Sequence, residues 1–169
     1  MSYPVKMIVI GAGSRGEGYT HYAARHPELA QIVAVADPLD FQRNVVGNAH
    51  NIPEERRFRT WEEVAKLPKF ADAVLICTQD NLHEAPVIAF AKLGYNILLE
   101  KPMAPSAESC RRIVAAVKEA GVLFAVCHVL RYTAYTQKVK QLIKSGAIGD
   151  IVSIQHLEPV GYWHQAHSF

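Results

Sequence analysis

Cysteine is scarce in this chain, with three residues in 169, Cys77, Cys110 and Cys127, an odd count with no C-x-x-C spacing. That pattern argues against both a disulfide framework and a zinc site, and predicts reduced, buried thiols. Charge of one sign is missing too. The net charge is +2 and no basic run or repeat occurs, so neither a nucleic-acid partner nor an anionic membrane surface is expected. No stretch of about 18 apolar residues is present to span a membrane. The opening Met1-Ser2-Tyr3-Pro4-Val5-Lys6 lacks the parts of a signal peptide, which makes a cytoplasmic location the expectation. Half the residues are hydrophobic and a fifth charged, as in an ordinary globular protein. The length suits one domain plus a fragment of another, with a core of real size. Function must therefore come from a site.

The chain is organised around Val5 to Gly16. A β-branched run, Val5, Ile8, Val9 and Ile10, empties into Gly11-Ala12-Gly13-Ser14-Arg15-Gly16. The run is too short for a helix and reads as a buried parallel strand, and G-x-G-x-x-G at its end reads as a strand-to-helix turn. Gly11 permits the tight turn, Gly13 lets backbone approach a pyrophosphate, and Gly16 lets the helix pack on the strand. The helix N-terminus, where Ser14 and Arg15 lie, then favours the phosphate. Glycine-rich turns also serve plain packing, but a second strand, Ala30 to Ala36, ends in Asp37, about 20 residues beyond Gly16 as a dinucleotide fingerprint requires. Arg15 is open to two readings, a phosphate contact or a solvated turn residue.

The remaining chain alternates. Helices are expected over 16–26 and 38–50, with Pro38 in the first turn, a short strand over 56–59, and a brief helix through Leu67 opened by the capping box Thr60-Trp61-Glu62-Glu63. The strand 73–77 ends in Thr78-Gln79-Asp80-Asn81-Leu82-His83, polar groups at the carboxyl edge of a parallel sheet where ligands bind, although Asp80 or Asn81 could instead cap a helix. A helix over 83–93 stops at Gly94, and the strand 95–99 leads into Glu100-Lys101-Pro102, which places a cation beside the crevice or an ion pair before a proline turn. A helix over 106–120, capped by Ser106 and ended by Gly121, precedes a strand over 122–128. Six strands with intervening helices predict an α/β fold, a doubly wound, mostly parallel sheet of the Rossmann type.

The glycine motif, Asp37, Thr78-x-x-Asn81-x-His83 and above all Glu100-Lys101-Pro102 resemble the Gfo/Idh/MocA family of oxidoreductases, and the likeness continues through Arg131-Tyr132 and Lys138 to Asp150. It implies a nucleotide-binding domain over 1–128 and the beginning of a C-terminal substrate and oligomerisation domain over 129–169, incomplete here. In that domain the segment from Tyr132 to Ser145 matches a helix and Ile151 to Leu157 matches the first sheet strand, whose exposed edge would invite pairing. By resemblance, Gly11, Gly13, Ser14, Arg15, Gly16, Asp37, Thr78, Asn81, His83, Glu100 and Lys101 bind the cofactor, Lys101 is catalytic at the substrate hydroxyl, and His128 and Arg131 are further candidates for substrate or cofactor. His128 stands where many relatives carry an apolar residue, and an ordinary satisfied histidine is the alternative.

The implied reaction is hydride transfer between NAD and a small carbohydrate-like alcohol or carbonyl, in a homo-oligomer once the second domain is complete. The alternative is a non-catalytic dinucleotide-binding sensor or subunit. Asp37 favours NAD over NADP because a carboxylate accepts ribose hydroxyls and repels a 2′-phosphate, with a flexible Arg43 as the counterweight. A cis Lys101–Pro102 bond is expected from the resemblance and from the weak trans preference of X-Pro bonds. The missing second domain predicts binding without turnover at a rate typical of the family. In the tail, His164 and His167 are spaced to share a helical face, but no third ligand accompanies them, so no metal is expected.

Overall fold

The computed structural model describes residues 4–162, so the tail histidines His164 and His167 lie outside the described residues. The chain divides into two compact units, 1–128 and 129–169.

The first unit is one six-stranded parallel sheet with the order β3-β2-β1-β4-β5-β6. Its strands are β1 (Val5–Ile10), β2 (Ala30–Ala36), β3 (Arg57–Phe58), β4 (Ala73–Ile76), β5 (Asn96–Leu99) and β6 (Phe124–Val126). Interleaved with them run α1 (Ser14–Arg25), α2 (Asp40–Ala49), α3 (Trp61–Ala65), α4 (Glu84–Lys92) and α5 (Ala107–Ala120). This is the doubly wound order, in which the chain reverses direction across the sheet beside β1.

Successive strand residues point to opposite faces, so each strand feeds two cores. Ile8 and Ile10 join Ile76, Phe90, Tyr95 and Leu99 on one face, whereas Val9 joins Ile32, Val35, Val46 and Leu75 on the other. Both sets are almost fully buried, which is why these strands read as continuous apolar runs.

Local signals set several boundaries. Thr60 Oγ1 accepts the Glu63 amide at 3.4 Å while the Glu63 carboxylate accepts the Arg59 amide at 2.9 Å, closing the cap of α3. Ser106 caps α5 through the Ser109 amide at 3.1 Å, and Gly121 ends that helix in the left-handed region at φ 64°. Several boundaries differ from the sequence expectation: β6 covers only Phe124–Val126 of 122–128, α3 ends at Ala65 rather than Leu67, and two helices start elsewhere. Helix α1 starts at Ser14, with extended Gly13 as its N-cap, so Gly16 sits inside the helix. Helix α2 starts at Asp40, beyond Pro38. The Lys101–Pro102 peptide is cis.

The second unit holds α6 (Ala134–Lys144), capped by Thr133 through the Thr136 amide at 3.3 Å. Ile151 to Leu157, expected as a strand, is exposed and forms none. β-branched composition alone does not make a strand, because an extended segment needs a neighbouring edge for its backbone groups, and no described strand pairs with it.

No helix among the described residues is long and apolar enough to cross a membrane.

Candidate functional site

At the carboxyl ends of β1, β2 and β4 the glycine turn is locked by close contacts. Gly11 adopts φ +88°, and a Cβ there would lie 2.7 Å from the Cys77 carbonyl oxygen. A Cβ on Gly16 would lie 1.9 Å from the Gly11 carbonyl oxygen, a position no other residue can take without moving α1. Gly13 differs, since its nearest neighbour would be the Gln42 side chain at 3.8 Å, which leaves the backbone open to a ligand. No side chain caps α1, so the first amides of that helix have no intrahelical partner and face outward as anion donors.

Asp37 is only 6% exposed, and both carboxylate oxygens are held by backbone. Oδ2 accepts the Ala12 amide at 2.7 Å and Oδ1 accepts the Leu39 amide at 2.8 Å. The acid therefore fixes the glycine turn to the β2–α2 turn. Each oxygen keeps a lone pair for a further donor such as a hydroxyl. A cleft of about 680 Å³ opens here, lined by Gly11, Gly13, Asp37, Trp61, Thr78 and Asn81 among others. Its volume lies in the usual range for a small-molecule site. The residues fit a dinucleotide on structural grounds: a turn whose one open glycine faces the cleft, free helix amides, and a fixed carboxylate.

At the end of β5, Glu100 is 7% exposed and fully engaged. Its Oε1 accepts the Tyr19 hydroxyl at 2.5 Å and lies 3.3 Å from Arg15 Nε, and its Oε2 accepts the Lys101 amide at 2.7 Å. Burial pushes the Tyr19 hydroxyl well above its ordinary range, reinforced by bonding to Cys127 and Glu100, so it remains a donor. Glu100 thus orients the backbone of Lys101, whose side chain is exposed. A carboxylate already serving three donors is poorly placed to act as a general base.

His83 is fully buried and lies outside the cleft lining. Its Nδ1 is 2.9 Å from the Pro102 carbonyl and its Nε2 is 3.0 Å from the Thr78 carbonyl. The ring therefore ties the loop after β4 to the turn that carries Lys101, with both ring nitrogens on backbone carbonyls. Burial raises the thiols of Cys77 and Cys127, which keeps them protonated; of the three cysteines expected to be buried, Cys127 is, whereas Cys77, on the cleft wall, and Cys110 are partly exposed.

The expected residues therefore separate. Gly11, Gly13, Asp37, Thr78 and Asn81 line the cleft, Ser14, Arg15 and Gly16 form the start of α1, and Glu100 and His83 are buried supports. His128 is exposed just after β6, and Arg131 is an exposed residue of the second unit. Arg43, expected as flexible, is instead 9% exposed and donates to the Asp37 carbonyl at 2.6 Å and to Asp40. Sequence reasoning missed Tyr19, Arg59 and Trp61. Tyr19 was findable, because it follows Gly16 by three residues on the face that α1 turns to the sheet.

Residues 5–128 match the family described as "Oxidoreductase family, NAD-binding Rossmann fold", Gfo/Idh/MocA. Among curated proteins, the chain is 35% identical over 147 residues to 2,7-anhydro-N-acetylneuraminate hydratase of Escherichia coli, covering 86% of this chain and 37% of that one. It is 30% identical over 153 residues to scyllo-inositol 2-dehydrogenase (NAD(+)) of Bacillus subtilis, covering 88% and 43%. The structure resembles that of the WlbA dehydrogenase from Bordetella pertussis in complex with NADH and UDP-GlcNAcA, with a TM-score of 0.79 and 28% identity over 86% of this chain and 43% of that one. The chain thus spans about two fifths of the length of these relatives. Glycine turn, fixed acid, parallel-sheet cleft and sequence match agree, and the chain belongs to the Gfo/Idh/MocA oxidoreductase family through its NAD-binding Rossmann domain.

Proposed function

We propose that this chain supplies the dinucleotide-binding part of an NAD-dependent oxidoreductase acting on a sugar, polyol or related hydroxyl or carbonyl compound. The observation that carries the reading is the cleft between the open glycine turn and the fixed Asp37 carboxylate. The free amides at Ser14 to Gly16 hold a pyrophosphate, Asp37 accepts ribose hydroxyls, and Thr78 and Asn81 add polar groups to the wall. When bound, NAD supplies the hydride acceptor. Lys101, its backbone set by Glu100, donates to the substrate oxygen and stabilises negative charge developing there. An exposed ammonium is a poor base, so proton removal needs another group. The names of the relatives support a carbohydrate-like substrate.

A second reading follows from the 35% identity to a hydratase: net addition or removal of water on a sugar-like compound. The test is the 169-residue chain with NAD and a panel of inositols, sugars and anhydrosugars, followed by NADH absorbance and by product analysis. The expected result is NAD binding with NADH formed more slowly than about 1 per second, below the usual enzyme range, and lost in Lys101→Met. Reduction at about 1 per second or faster would show a catalytically complete chain. Equal rates in Lys101→Met would remove Lys101 from the chemistry. Hydrated product without net NADH would favour the hydratase reading, and no product at all would favour a non-catalytic dinucleotide-binding subunit.

A further inference from the structure

The Asp40 carboxylate engages two guanidinium groups, those of Arg43 and Arg59. Arg43 donates through Nη2 to Asp40 Oδ1 and through Nη1 to the Asp37 carbonyl, and its side chain is 11% exposed. Arg59 lines the cleft and places Nη2 3.5 Å from the same Asp40 Oδ1, with 69% of its side chain exposed. Asp40 is itself outside the cleft lining. The Arg43 hydrogen bond, then the charges of Arg43 and Arg59, hold its carboxyl below the usual carboxylate range, so it is ionised at neutral pH.

We propose that Asp40 is a specificity-determining residue that withholds Arg59 from a 2′-phosphate, so that the cleft discriminates against 2′-phosphorylated dinucleotides by sequestering a cation as well as by presenting Asp37. A guanidinium near the adenosine ribose is the group that accommodates a 2′-phosphate in such folds. Arg43 is committed twice, once to a backbone carbonyl beneath Asp37, and has little freedom to turn. Arg59 is retained by Asp40 alone among the described carboxylates. Removing the Asp40 charge therefore releases Arg59, an exposed cation on the cleft wall that can form charge-assisted bonds to phosphate oxygens. The repulsion from Asp37 remains, so preference narrows without reversing.

The inference rests on the dinucleotide reading, and one set of titrations separates the two. Dissociation constants for NAD and NADP are measured on wild type, Asp40→Asn, Asp40→Glu and Asp40→Asn/Arg59→Ala, with circular dichroism and thermal melts confirming the fold. The NADP-to-NAD ratio of constants is expected to fall about two- to fivefold in Asp40→Asn, the worth of an exposed ion pair, to stay near wild type in Asp40→Glu, and to return toward wild type in the double variant. A ratio unmoved in Asp40→Asn, while wild type binds NAD, overturns the role of Asp40 alone. A double variant that keeps the narrowed ratio overturns the release of Arg59. Wild type that binds neither dinucleotide defeats the dinucleotide reading and this inference with it.

Discussion

Replacing Gly16 by alanine places one methyl group where the glycine turn leaves no room. The added Cβ would sit 1.9 Å from the Gly11 carbonyl oxygen and 3.3 Å from Val9 Cγ1, where ordinary contacts begin at 3.4 Å. The obstacle at 1.9 Å is backbone and cannot rotate away, so α1 must move off β1 by roughly 1.5 Å. Overpacking of this kind costs about 1–3 kcal/mol of stability, and here it also shifts the free amides of α1 from the phosphate position. Loss of one hydrogen bond to a charged group is worth about 1.5–3 kcal/mol, so NAD affinity should fall by roughly 10- to 100-fold. Gly18, two residues along the same helix, is the control, because nothing lies within 4 Å of its Cβ position. Gly18→Ala should stabilise the helix by about 0.5–1 kcal/mol through propensity alone, with NAD binding retained. Trp61 lines the cleft and gives a fluorescence signal for the titration, with differential scanning calorimetry for stability. A Gly16→Ala protein with wild-type melting temperature and wild-type NAD affinity would refute this account of the turn.

Three further outcomes are expected. His83→Leu should lower stability by about 1–3 kcal/mol, since a carbonyl at Thr78 or Pro102 loses its donor, and chemical denaturation measures this; an unchanged midpoint would deny the tie between the two loops. Arg112 holds the Glu84 carboxyl down to about 2 from 4.5, so its stabilising effect is fully present above pH 4.5 and fades as pH falls toward 2. The stability difference between wild type and Arg112→Ala should follow that window, and a difference that persists below pH 2 would count against the pairing. A thiol reagent at neutral pH should label Cys127, 7% exposed, much more slowly in the folded than in the unfolded protein; equal rates would contradict its placement.

The parts of this site that were legible in the sequence are those whose cause is local. Gly11 and Gly16 announce their roles because the turn between them spans six residues, and Asp37 is marked by its place at the end of an apolar strand. The caps of α3 and α5 follow from Thr60 and Ser106 with partners three residues away. What escaped depends on folding distant segments together. Tyr19 meets Glu100 across 81 positions, and His83 meets the Pro102 carbonyl across 19. Polar composition suggested that His83 faces a ligand, whereas the sheet buries it as a fastening between two loops. Arg43 looked mobile because nothing in its sequence neighbourhood shows that it folds back beneath Asp37. Ile151 to Leu157 has strand composition, but pairing is a tertiary property and composition does not supply a partner.

The central claim is that the cleft between the glycine turn and Asp37 holds NAD. Isothermal titration of the 169-residue chain with NAD, alongside Asp37→Ala, tests it most directly. The account predicts one-to-one binding with a dissociation constant between about 1 μM and 1 mM, the range typical of enzyme ligands, and at least tenfold weaker binding by the variant. A folded wild-type chain that takes up no NAD at several times the upper limit, or an Asp37→Ala protein that binds as tightly as wild type, would contradict it.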